Sequence, residues 1–269
     1  MQGGQFAVGL LWLAVGSAFS QPLPPQPPQR DRPGRPVSFV ACPQFRDTAR
    51  QCWTAESGGK TYYIGGFAIG TPPQLLHRVL VEGIAHDSES SCGAITLDPV
   101  HLSPLPEIDA ACDTVLPDNG VMPKEPSIFD LPPAVLAANG GPMPTPPPLQ
   151  GNTTFTVLFD FDRANLNLFN QANVEMIGRA IMNSQVQRVI VTGRSGRSRL
   201  ADGSTMIESK AVGAIRAATV GDALVLIGVA PKLVSQRSVD KTPIDAQVGD
   251  VNSRNVTVEV QLAKRSRSR

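Results

Sequence analysis

The sequence predicts an α+β protein, with a β-α-β-α-β-β unit in its C-terminal half preceded by a small disulfide-stapled mainly-β domain and proline-rich linkers. Three observations carry that expectation. Two stretches after residue 151 repeat apolar residues at helical spacing, all four cysteines fall between Cys42 and Cys112, and prolines gather at two boundaries. The chain has 269 residues, 41% of them hydrophobic, so it is long enough to bury a core in one or two domains. A net charge of +1 argues against general nucleic-acid binding, and any anion recognition has to come from local clusters.

Residues 1–20 hold an apolar run from Phe6 to Phe19 ending in Ser17, Ala18 and Ser20, the form of a secretory signal cleaved after Ser20. Its ~14 apolar residues fall short of the ~20 that cross a bilayer. Residues 21–36, QPLPPQPPQRDRPGRP, read as an extended leader too rich in proline to pack. Residues 37–116 form the cysteine-bearing β domain, with strand-like runs KTYYIGGFAI and LLHRVLVEGIA. Cys42, Cys52, Cys92 and Cys112 suit an oxidising compartment in which a small domain is stapled by bridges. Of three possible pairings, the one expected is Cys42 with Cys52 and Cys92 with Cys112. Residues 117–151 form a second proline-rich linker, whose ~30 residues at ~3 Å each would span several nanometres.

Residues 152–263 change character. TTFTVLFDF reads as a buried strand, and in NQANVEMIGRAIMN the residues Val174, Ile177 and Ile181 form one helix face. VQRVIVTG is a second strand. A longer helix between Ser209 and Gly228 aligns Ala217, Val220, Leu224 and Ile227, with Gly228 where a helix end needs positive φ. PKLVSQRSV and NVTVEVQLA supply two more strands, and residues 264–269 form a basic tail with Lys264, Arg265, Arg267 and Arg269.

In this order, VLFDFDRANL, VIVTG with a polar loop after it, RAATVGDALVLIGV and NSRNVTVEV resemble the OmpA-like peptidoglycan-binding domain of Gram-negative bacteria, over residues 153–262. The most specific piece is the helix pattern met by Arg216, Ala217, Val220, Leu224, Gly228 and Val229. The resemblance implies a periplasmic protein, at the outer membrane or cell wall, that binds peptidoglycan by the diaminopimelate of its peptide stem. An arginine and backbone N–H groups would grip the carboxylates, and an aspartate the ammonium. Fixed opposite charges suit a zwitterion, and a guanidinium fork suits a carboxylate. The implied ligand residues are Arg216, Asp160, Asp162, Ser195, Gly196, Asp202 and Arg254. The family's G-x-T-D loop is here Gly193, Arg194, Ser195 and Gly196, so a glycine stands where the acid is expected. The loop that follows is longer than is common, and Asp202 or Glu208 within it would have to replace the acid.

His77, His86 and His101, with Cys92, match no standard zinc spacing, so no metal is expected. No G-x-S-x-G, H-E-x-x-H or phosphate loop appears, so neither catalysis nor a cofactor is expected. Two functions are consistent with these features. The first is a non-enzymatic wall tether that anchors the N-terminal β module to peptidoglycan. The second is an interaction component of an envelope assembly, such as secretion or pilus machinery, that meets other envelope proteins and has lost wall binding.

Overall fold

The computed structural model describes residues 34–48, 52–65, 69–121, 145–239, 248 and 251–263. The expected signal segment, most of the leader, the centre of the second linker and the basic tail lie outside the described residues.

The N-terminal sheet is built on one long hairpin. Strands β6 (His77–Ser91) and β7 (Ala94–Ile108) run antiparallel, joined by Cys92 and Gly93 at φ 55° and 75°. Two successive positive φ values are what a tight two-residue hairpin turn requires. Around the hairpin the order is β1-β6-β7-β4-β3-β2-β8, with β1 Arg35–Ala41, β2 Pro43–Arg46, β3 Cys52–Ser57, β4 Lys60–Tyr63 and β8 Thr114–Leu116; the short β5, Ile69–Gly70, pairs with β7. Alternation along each strand decides its two faces. Val37 and Phe39 of β1, Val79 and Val81 of β6, and Val100 and Leu102 of β7 fill a core with Ala55, Tyr62 and Ile64. The opposite face carries Ser38, Leu80, Glu82, His101 and Ser103, all buried as well. Two buried faces explain why LLHRVLVEGIA reads as a nearly continuous apolar run.

The disulfides correct the expected pairing. Cys42 bonds Cys112, and Cys52 bonds Cys92. Sheet order is the reason. Parallel pairing of β2 with β8 brings Cys42 beside Cys112, while Cys52 of β3 packs with Cys92, Tyr63 and Ala94 at the hairpin end. Because the Cys42–Cys112 bridge spans 70 residues, replacing both by serine is expected to cost about 4 kcal/mol from loop-closure entropy, checked by urea denaturation.

The C-terminal part follows the order read from its sequence: β9 (Thr153–Leu158), α1 (Leu168–Met182), β10 (Val186–Arg194), α2 (Val212–Ile227), β13 (Val234–Val239) and β14 (Asn255–Leu262). The sheet runs β13-β10-β14-β9, with β13 parallel to β10 and β14 antiparallel to both β10 and β9. Asn167 caps α1 by accepting from the Asn170 amide, and Gly228 at φ 120° ends α2 as expected. Val174, Ile177 and Ile181 meet Ala217, Val220 and Leu224 over Val189, Val191, Val256, Val258 and Val260, forming a two-layer core. The expected polar loop after β10 contains a hairpin, β11 (Arg197–Arg199) and β12 (Thr205–Ile207). Asp202 and Gly203 form its turn, with Gly203 at φ 89°, and this Asp-Gly pair was the readable signal for it.

Both sheets belong to one compact unit. Leu80 packs with Phe161 and Leu200, joined by Val40, Leu105 and Met206. The outer face of β1, β6 and β7 is therefore an internal joint.

Candidate functional site

The segment after β9, Phe159 to Arg163, wraps around two arginine side chains. Phe159 lies under the Arg216 guanidinium at 5.2 Å, and Phe161 under that of Arg254 at 5.8 Å. Both arginines are completely buried. A buried guanidinium requires partners for its five N–H groups.

Arg216 projects from α2 into a nest closed by its own chain. Its Nε donates to the Arg163 carbonyl at 2.7 Å, Nη1 to that of Arg194 at 3.0 Å and Nη2 to that of Asp160 at 2.9 Å. Two further bonds run in parallel to Glu208, Nη1 to Oε2 at 2.8 Å and Nη2 to Oε1 at 2.7 Å. The same carboxylate accepts from the Gly196 amide at 2.6 Å and the Asp162 amide at 2.8 Å. A guanidinium fork and two backbone N–H groups thus converge on one carboxylate, which is a complete carboxylate receptor. Glu208 reaches it from the end of the β11–β12 hairpin.

Arg254, just before β14, is gripped from the other sheet. Its Nη1 donates to Glu82 Oε1 at 3.0 Å and its Nη2 to Glu82 Oε2, with both side chains fully buried. Burial alone would lower the Arg254 pKa, but the charge and hydrogen bonds of Glu82, helped by Glu208 and Asp160, hold it above its ordinary value. Glu82 also accepts from the Ser198 hydroxyl, which lies 3.2 Å from the Ser38 hydroxyl. In register, Ser38 pairs with Glu82 and Glu82 with His101, so a row of polar side chains crosses three strands and faces the C-terminal part.

The remaining expected residues divide. Asp160 is buried, accepts from the Thr71 hydroxyl, and has Oδ1 3.5 Å from His101 Nε2, so it faces the N-terminal sheet. Asp162, at φ 50°, accepts from the Ser209 amide and fixes the start of the α2 segment. Ser195 is buried near the end of β10, against Gly213. Asp202 sits in the exposed turn of the hairpin and accepts from the Ser204 hydroxyl and amide, which hold its pKa below the ordinary carboxylate range. Its short side chain is spent on the turn it belongs to. The guanidinia of Arg216 and Arg254 hold the internal carboxylates of Glu208 and Glu82.

Gly196 has a steric reason to lack the acid. A Cβ there would lie 2.6 Å from Arg254 Cγ, 2.6 Å from Ser253 Oγ and 3.0 Å from the Ser253 carbonyl carbon. Gly196→Asp is therefore expected to destabilise by about 1–3 kcal/mol through overpacking, with no gain in ligand affinity. Thermal melting with a sacculus co-sedimentation assay checks both parts.

Sequence reasoning missed Glu82, Ser38 and Ser198. A lone carboxylate inside an apolar strand was the available signal, since burial there demands a cationic partner.

The C-terminal part has the β-α-β-α-β-β order read from its sequence, with the β11–β12 hairpin inserted after β10, over the residues that resemble the OmpA-like domain. Among solved structures, the chain is similar to the periplasmic domain of Helicobacter pylori MotB, at 20% identity over 43% of this chain and 80% of that one, TM-score 0.34. It is also similar to the OmpA-like domain of FopA1 from Francisella tularensis, at 20% identity over 41% and 73%, TM-score 0.34. A third is the peptidoglycan-associated lipoprotein of Burkholderia pseudomallei, at 20% identity over 39% and 87%, TM-score 0.30. No protein-family model and no curated protein sequence matches the chain.

Proposed function

We propose that this is a non-enzymatic, exported protein of the cell envelope that associates with peptidoglycan through its C-terminal part, with the N-terminal sheet as its attached module. One observation carries the reading: Arg216 and the amides of Gly196 and Asp162 converge on a single carboxylate. That is the donor set a stem-peptide carboxylate requires. In the form described here Glu208 fills the receptor, so wall binding depends on removing it. The test is co-sedimentation of the full chain with diaminopimelate-containing sacculi, comparing wild type with Glu208→Ala. Retention of the folded Glu208→Ala protein above wild type supports the reading; equal absence of both from the pellet contradicts it.

A second reading is favoured by the same resident carboxylate and by the Glu82–Arg254 joint. In it the C-terminal part holds the chain's own sheet and serves an envelope assembly as an interaction component, with no wall ligand. Crosslinking in intact envelopes distinguishes it, because this reading requires protein partners and no attachment to sacculi.

A further inference from the structure

The β11–β12 hairpin delivers Glu208 to Arg216, and the N-terminal sheet holds that hairpin. Ser198 of β11 donates to Glu82, and the Ala201 amide donates to the Ser38 carbonyl at 2.7 Å. Leu200, between them, packs against Leu80 and Phe161. Glu82 therefore binds two pieces of the C-terminal part at once: Arg254 directly, and the hairpin through Ser198. At the far end of the hairpin the Glu208 amide donates to the Gly196 carbonyl at 3.2 Å, beside the receptor.

We propose that docking of the N-terminal sheet is the lock that keeps Glu208 in the Arg216 receptor. While β1 and β6 grip the hairpin, the internal carboxylate occupies the receptor and excludes any other. When the sheet lifts away, Glu82 releases Arg254 and Ser198 together, the hairpin loses its outer support, and the receptor opens to a carboxylate-bearing ligand. An internal ligand on a short tether acts at an effective concentration in the mM range or above, so a dilute outside carboxylate competes only after the tether is loosened. The arrangement is a population shift in which the partner that pulls the sheet away controls access to the receptor. The identity of the incoming ligand rests on the stem-peptide reading above; the lock itself does not.

The full chain with both disulfides formed provides the test, by amide hydrogen exchange at Gly196 and Asp162, the two backbone donors to Glu208. In Glu82→Gln, which keeps the side-chain size and removes the charge, exchange at these two amides is expected to accelerate about a hundredfold, with the β10 amides unchanged. Sacculi are expected to retain this variant, and Arg216→Lys added to it is expected to abolish the gain. Wild-type protection at Gly196 and Asp162 in folded Glu82→Gln overturns the lock. Accelerated exchange without retention on sacculi leaves the lock in place and overturns the stem-peptide ligand. If Glu82→Gln also loses protection in β10, Ser198→Ala decides. It removes one of the hairpin's contacts with the N-terminal sheet, keeps the Ala201–Ser38 bond and the Leu200 packing, and leaves the Glu82–Arg254 pair intact. A smaller acceleration confined to Gly196 and Asp162 is therefore expected, and unchanged exchange there overturns the lock.

Discussion

Replacing Arg216 by alanine is expected to lower the unfolding free energy by about 3–5 kcal/mol, measured by urea denaturation, and not simply to weaken ligand binding. The side chain donates to three carbonyls, of Asp160, Arg163 and Arg194, and to both oxygens of Glu208. Truncation leaves Glu208 buried with only the Gly196 and Asp162 amides as donors. It also strips the turn after β9 of the group that shapes it. A loss of sacculus binding in Arg216→Ala is therefore no evidence for ligand contact. Glu208→Ala is the informative change at a similar cost of about 3–5 kcal/mol, since it leaves the buried Arg216 without its carboxylate but removes the internal occupant and retains the guanidinium and the two amides.

The second large effect is expected at the joint between the sheets. Glu82→Ala or Arg254→Ala is expected to cost about 3–5 kcal/mol, because each leaves a fully buried charge without its partner. Glu82→Leu combined with Arg254→Met is expected to be neutral or stabilising by about 1–4 kcal/mol, since it removes the desolvation cost together with the charges. Urea denaturation of the three proteins beside wild type checks the contrast. A double variant as unstable as the sum of the single changes would mean that the pair is not coupled.

The C-terminal part was legible in the sequence because its signals are local. Val174, Ile177 and Ile181 mark one helix face, Ala217, Val220 and Leu224 the other, and Gly228 the end of α2, all within short windows. The two arginines were legible as residues that matter, but their partners were not. Glu208 was named only as a possible substitute for the missing acid, and Glu82 lies 172 residues from Arg254. No periodicity reports a contact at that separation. The cysteine pairing failed for the same reason. It depends on β2 lying against β8, and such non-local pairing leaves no trace in sequence spacing. The glycine at 196 was legible as a departure, but its cause, the Arg254 side chain packed against it, required the fold.

FDFD, after β9, shows how alternating residues serve two purposes in one turn. Its phenylalanines lie beneath the two arginines, while Asp160 faces the N-terminal sheet and Asp162 holds the Ser209 amide. Acidic residues stand there because the turn is where the two sheets and α2 meet. In the form described, they organise the joint and the receptor walls, and no outside cation is needed to account for them.

The most direct test of the joint is disulfide trapping across it. Ser38 and Ser198 bring their hydroxyls within 3.2 Å although they are 160 positions apart. Ser38→Cys with Ser198→Cys, in the full chain oxidised under mild conditions, is expected to yield a peptide linking residues 38 and 198 by mass spectrometry, beside the Cys42–Cys112 and Cys52–Cys92 bridges. Native bridges without the 38–198 link would show that the N-terminal sheet does not dock on the hairpin, and the internal closure of the receptor by Glu82 and Glu208 would be contradicted.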